Sequence, residues 1–226
     1  MANHLDLEEQ EQIDQLKHFW NTWGTLISVV VIVVCGAVAA WNGYKYWQNR
    51  QAVQAAVLAE EVESAERAGD KGRVEQAWSD LSGKYGSTVQ AGQSGLAVAK
   101  FWSNAGNTDA AKAALTWVAD KSSDDGLKAL AKLRLSSLLM EQKAYDEALA
   151  QLGGSFPAEF EAVVADRKGD LLTLKGSSQD AIAEYQRAYK AFDPRTDYRR
   201  LVEIKLNALG AKPQVVASAE LTKEAK

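Results

Sequence analysis

Apolar and polar positions follow two different rules along this chain. Between Phe19 and Tyr44, twenty-six consecutive residues carry no charged side chain, and the middle of the stretch, Gly24 to Ala40, reads GTLISVVVIVVCGAVAA. Wound as a helix, that middle rises about 26 Å, close to the hydrocarbon thickness of a bilayer. Phe19, Trp20 and Trp23 precede the run and Trp41, Tyr44, Tyr46 and Trp47 follow it, with Lys17 and Lys45 just outside. Amphipathic rings settle at headgroup level, so these are two interfacial belts around an apolar core. The β-branched run Val29 to Val34 is not read as a strand, because no turn residue bounds it and a lone strand in lipid leaves its backbone unpaired. The pattern predicts a transmembrane helix over 19–47 behind an acidic tail, 1–18, that holds Asp6, Glu8, Glu9, Glu11 and Asp14 against Lys17. The competing reading is a signal peptide cleaved after Ala37-Val38-Ala39; it calls for a positive leader, which this tail is not. Gly36, Ala40 and Gly43 form a strip of small residues that lets another membrane helix approach closely, although small residues are common in such helices in any case.

Beyond Trp47 the apolar residues recur at helical spacing in segments of ten to twenty residues. Breaks are expected at Gly69-Asp70, Gly83, Gly86-Ser87, Gly106-Asn107, Ser122-Ser123-Asp124, Gly153-Gly154-Ser155, Gly176-Ser177 and Asp193-Pro194. Pro157 fits a first helical turn, and Ser177 with Asp180 resembles a capping box. No segment alternates long enough to make a strand.

The segments repeat. AKFWSNAGNTDAAKAAL from Ala99, SSLLMEQKAYDEALAQL from Ser136 and GDLLTLKGSSQDAIAEY from Gly169 align without a gap. Each opens on a small residue, breaks at Gly106, Lys143 or Gly176, places an alanine at Ala111, Ala148 or Ala181, and ends on Leu115, Leu152 or Tyr185. Residues 65–81 fit more loosely through Ala65, Gly72, Ala77 and Leu81. This period resembles the tetratricopeptide repeat, in which small residues let two antiparallel helices touch; the family's early Trp and Tyr are absent, and an irregular bundle is the alternative. The expected fold is therefore all-α: one transmembrane helix, then a tetratricopeptide-like α-solenoid over 48–210 and a flexible tail, 211–226. Arg195 to Leu209 reads as a closing helix with Leu201, Ile204 and Leu209 against the last repeat and Arg199, Arg200 and Lys205 in solvent.

Composition narrows the chemistry. Beyond residue 50 the chain has 23 Lys and Arg against 25 Asp and Glu, a net charge of −2 that offers no footprint for nucleic acid. Cys35 is the sole cysteine, and the only histidines, His4 and His18, precede the membrane stretch. Nucleophilic systems built on His, and zinc sites with ordinary N or S ligands, therefore have no residues in the repeats. Glu60-Glu61-Glu63 and Asp124-Asp125 read as solvated charge runs, and Gly83-Lys84 is followed by Tyr85 where a P-loop needs Ser or Thr. Neither a catalytic residue nor a metal or cofactor site is expected. Lys17 on one side against Lys45 and Arg50 on the other leans slightly toward a cytoplasmic repeat domain.

As a whole chain, with WGTLISVVVIVVCGAVAAWNGYKYWQ running into QNRQAVQAA, the sequence resembles the YfgM family, ancillary subunits of the SecYEG translocon in Gram-negative bacteria. That resemblance implies a type II inner-membrane protein with its tail in the cytoplasm and its repeats in the periplasm, against the slight charge bias. It further implies passage of translocated polypeptides to periplasmic chaperones, a membrane-anchored prolyl-isomerase-like chaperone as partner, and a link to an envelope-stress response. For such an interaction module, helical spacing puts Leu96, Lys100, Ser103, Leu133, Ser137, Met140, Asp166, Asp170 and Thr173 on the binding side. The alternatives are a membrane-bound hydrolase using two carboxylates, and the same scaffold facing the cytoplasm.

Overall fold

The computed structural model describes residues 7–213, with side chains from residue 11, as helices joined by short turns, and no strand occurs among them. The chain divides into two compact units between Gln51 and Ala52. Helix α1 (Leu7–Ala68) contributes to both. Its first part carries the uncharged stretch, where Leu26, Val29 to Val34 and Val38 are all exposed, as side chains facing lipid must be. Lys45 lies 5.5 Å from the centre of the Trp41 ring and Arg50 lies 5.3 Å from that of Tyr46, so the trailing belt pairs each cation with an aromatic face.

In the second unit the rest of α1 is followed by α2 (Lys71–Tyr85), α3 (Val89–Asn104), α4 (Thr108–Lys121), α5 (Asp125–Glu141), α6 (Tyr145–Gln151), α7 (Glu161–Leu174), α8 (Ser178–Ala191) and α9 (Asp197–Ala208). Helices α3 and α4, α5 and α6, and α7 and α8 pack as consecutive pairs, and α3 also meets α5 as α5 meets α7. First helices therefore lie beside first helices. The crossings are where the sequence placed its smallest residues: Ala99, Ser136 and Gly169 are buried, and Ala111, Ala148 and Ala181 are 0% exposed. A Cβ on Gly169 would stand 2.5 Å from the Tyr185 ring, so glycine is what lets that ring lie on α7. The equivalent turn residues Gly106, Lys143 and Gly176 share left-handed φ values of 73°, 62° and 78°. Lysine pays for that conformation with a Cβ clash that glycine avoids.

Several expectations shift. The first repeat turns at Gly69-Asp70, with φ 68° at Gly69, so Val62 and Val74 take the places given to Ala65 and Ala77. Val62 to Ala99 and Ala99 to Ser136 are then both 37 residues, and the first two repeats have one length. Gly83 lies inside α2, where its neighbours Leu81 and Tyr85 hold the helix on the core. Pro157 precedes a short 3-10 turn, Ala158–Phe160, instead of opening α7. Ser177 stands at the start of α8 but makes no side-chain cap bond, whereas Asp70, Thr88, Asn107 and Asp124 each accept one.

Two apolar cores result. One runs from Ala55 through Leu81, Leu115 and Leu139 to Leu171, and the other gathers Ala165, Ala181, Tyr185, Ala188, Val202 and Leu206 between α7, α8 and α9. A fully buried leucine such as Leu139 or Leu152 contributes about 2 kcal/mol through its loss of apolar surface to water. Helix α9 closes the end with Val202 and Leu206, while Leu201 and Ile204 are 41% and 57% exposed. The expected phase was therefore wrong for those two. Leu209, by contrast, does pack against the second core.

Candidate partner-binding face

The first helices of successive pairs leave two clefts between them. Between α3 and α5 lies a cleft of about 250 Å³ with Ala99, Ala111, Leu115 and Leu138 as its apolar floor. Lys100, Ser103 and Asn104 on α3 face Arg134, Ser137 and Glu141 on α5 across it. One Arg134 guanidinium N–H donates to the Leu96 carbonyl at 3.3 Å, and neither Arg134 nor Lys100 forms an ion pair among the described residues. Between α1 and α3 lies a broader cleft of about 580 Å³, lined by Glu60, Glu63, Glu66 and Arg67 on one wall and Gln90 and Gln93 on the other. Burial, then the neighbouring Glu63, push the Glu66 carboxyl above its ordinary pKa, with Lys100 opposing them. Its Oε1 is buried with no hydrogen-bond partner. Lys100 thus stands between an acidic cleft and a basic one.

The nine residues assigned to a binding side are not one surface. Lys100, Ser103 and Ser137 line the α3–α5 cleft together. Leu96 and Leu133 are 6% and 8% exposed and belong to the core, and Met140 packs partly against it. Thr173 turns back on its own helix, donating to the Gly169 carbonyl at 2.8 Å. Asp166 is 2% exposed: Lys205 Nζ donates to both its oxygens at 2.8 and 2.9 Å, and the Tyr198 hydroxyl donates at 3.0 Å. Asp170 accepts from the Tyr185 hydroxyl at 2.8 Å and pairs with Lys205 at 2.7 Å. Lys205, expected in solvent, is the pin between α7 and α9. Arg134, Glu63 and Glu66 went unassigned, although Arg134 stands three residues before Ser137 and so shares its helix face.

Among the described residues no three metal-ligating side chains cluster. Asp124 caps α5 through Leu127 N at 2.8 Å, and Asp125 pairs with Lys128 at 3.0 Å, so that charge run serves the helix start. In the first unit, a Cβ at Gly36 or Gly43 would meet nothing within 4 Å, which leaves the strip with Ala40 open on the membrane helix.

Residues 17–211 match the tetratricopeptide repeat-like domain family. The chain is similar to an ancillary SecYEG translocon subunit of Neisseria gonorrhoeae, 34% identical over 92% of this chain and the whole of that protein. It is also similar to proteins of the same description from Escherichia coli, 26% identical over 89% of this chain and 96% of that one, and Haemophilus influenzae, 29% over 90% and 98%. No solved structure matches the chain.

Proposed function

The chain belongs to the family of ancillary SecYEG translocon subunits with a tetratricopeptide repeat-like domain, and from that premise we propose that it is a membrane-anchored module that holds polypeptides near the translocon. The observation that carries the reading is the row of first helices, whose two open clefts hold unpaired charges of both signs over an apolar floor. A face with shallow, mixed contacts suits weak and varied binding, and tethering to one membrane raises effective concentration without adding contacts. We assign the repeats to the periplasm and the acidic tail to the cytoplasm of an inner membrane. Emerging chains then pass from the translocon across this face to a periplasmic chaperone, including a membrane-anchored prolyl-isomerase-like one, and the cytoplasmic tail offers a route to an envelope-stress response. The activity is binding, not catalysis. The open strip of Gly36, Ala40 and Gly43 supports a direct helix contact within the membrane.

A second reading, a carboxylate-based hydrolase, has Glu63 and the raised Glu66 in one cleft as its acid–base candidates. A hydrolysis assay separates the two: under the second reading Glu66→Gln abolishes hydrolysis by the full chain, and under the first the wild type shows none to lose. Orientation is tested with single cysteines: those at Ser64 and Ser218 label with an impermeant thiol reagent on spheroplasts and one at Asn3 does not, and labelling of Asn3 alone overturns the assignment. Gly36→Leu with Ala40→Leu keeps insertion and abundance but loses membrane partners; full retention means the anchor only tethers.

A further inference from the structure

Three lysines reach from one helix to another and meet carboxylates there: Lys112 meets Glu147, Lys175 meets Asp146, and Lys205 meets Asp166 and Asp170. The cleft between α3 and α5 is built differently. Lys100 and Arg134 line it, both exposed, and neither has an ion-pair partner among the described residues. Glu141 is the one carboxylate in its lining, and it stands a full two turns beyond Arg134, about 10 Å along α5. Arg134 donates one N–H to the Leu96 carbonyl at 3.3 Å, which fixes the guanidinium at the cleft and leaves its other N–H groups for a ligand. Arg167 holds on α7 the place that Arg134 holds on α5, two residues before the small residue of the crossing, and its Nε is buried without a partner.

We propose that the cleft between α3 and α5 is a carboxylate subsite that takes an Asp or Glu side chain of an unfolded polypeptide, with Arg134 as its principal donor and Lys100 beside it. The proposal rests on the reading that the first helices bind polypeptide, and it names a side-chain class that this reading leaves open. Charge and size both point to such an occupant. A planar guanidinium matches the two oxygens of a carboxylate, and Ser103, Asn104 and Ser137 add neutral hydroxyl and amide groups at the rim. The cleft measures about 250 Å³, below the roughly 300–1,000 Å³ of most small-molecule sites, so it suits one side chain and the aliphatic part of its neighbour over the apolar floor. Lys100 has a second claim on its charge, because it also draws down the pKa of the Glu66 carboxyl in the adjoining cleft. An entering carboxylate therefore competes with Glu66 for Lys100 but has no competitor of that kind at Arg134.

Labelled twelve-residue peptides, amidated at the C-terminus and differing only in a central Glu, Gln or Lys between leucines, test this by fluorescence anisotropy on the full chain in detergent micelles. The expected result is about three- to tenfold tighter binding of the Glu peptide than of the Gln peptide, falling as salt rises, with the Lys peptide weakest. Arg134→Gln abolishes that preference, Lys100→Gln reduces it, and Arg134→Lys keeps part of it by keeping the charge. Arg73→Gln makes the same change in net charge at an exposed place on α2 and leaves the preference intact. Glu66→Gln, outside the cleft, increases it, because Lys100 is then free of its competitor. Equal binding of the Glu and Gln peptides overturns the carboxylate subsite and leaves polypeptide binding standing, as does equal loss of preference in Arg73→Gln and Arg134→Gln. No binding of any peptide overturns both.

Discussion

Lys205→Met removes the cation that joins α9 to α7 and keeps an unbranched side chain only one atom shorter. In the wild type, Lys205 Nζ lies 2.7–2.9 Å from three carboxylate oxygens, two on Asp166 and one on Asp170. Removing one partner of a fully buried pair costs about 3–5 kcal/mol, because the remaining charge has no compensation. Asp166 is 2% exposed, but Lys205 and Asp170 keep 21% and 26% of their side-chain surface, so water screens part of that loss. The expected cost is about 2–3 kcal/mol, with Asp166→Asn, Lys205→Met recovering part of it as a coupling energy. The cost is also local. Val202 and Leu206 belong to the second core, so hydrogen exchange should accelerate in α8 and α9 of the full-length variant while α3 to α5 keep their protection. Wild-type stability, or equal loss of protection in every helix, would refute the argument that this ion pair holds the end of the array.

The same cluster predicts alkaline sensitivity. Burial draws the Lys205 pKa down, but the hydrogen bonds it donates to Asp166 and Asp170 and the negative charge of both outweigh it and leave it raised, while burial raises both Tyr185 and Tyr198. Folded-state values above the unfolded ones mean stabilisation that is complete below about pH 10 and is lost as pH rises through the folded values, so α9 should lose exchange protection first on alkaline titration. At the helix crossings, Ala111→Leu, Ala148→Leu and Ala181→Leu should each cost about 1–3 kcal/mol in thermal unfolding, whereas Lys112→Leu loses only an exposed pair with Glu147 at 3.4 Å and should cost little. Lys143→Gly should raise stability by about 0.5–1 kcal/mol, because it relieves a φ of 62° at the position where the other two repeats use glycine; no gain in melting temperature would contradict the shared turn geometry.

What could be read from the chain depended on how local its causes were. The anchor and the alanines at 111, 148 and 181 were legible because bilayer thickness and helix contact each impose a spacing on neighbouring residues. The first repeat was misplaced by three residues because Gly72 and Gly69 both offer a turn, and only the left-handed φ at Gly69 decides between them. Helix α9 has two apolar stripes, Leu201 with Ile204 and Val202 with Leu206, and the choice lies with partners elsewhere in the chain. Those partners also changed the meaning of charge. Asp166 and Lys205 are 39 residues apart, so each looks solvated in its own segment although they meet in the core. The binding face shares this limit: Glu66 and Lys100 influence each other across two helices, a relation that no spacing within one helix records.

The central claim is that emerging polypeptides contact the face of the first helices. A photoreactive residue at Ser137, inside the α3–α5 cleft, and another at Glu75, exposed on α2, should be compared in native membranes holding a secretory chain arrested in the translocon. Capture of the arrested chain from Ser137 and not from Glu75 is the predicted result. Equal capture from both positions, or none from Ser137 while Glu75 captures the chain, would contradict the account.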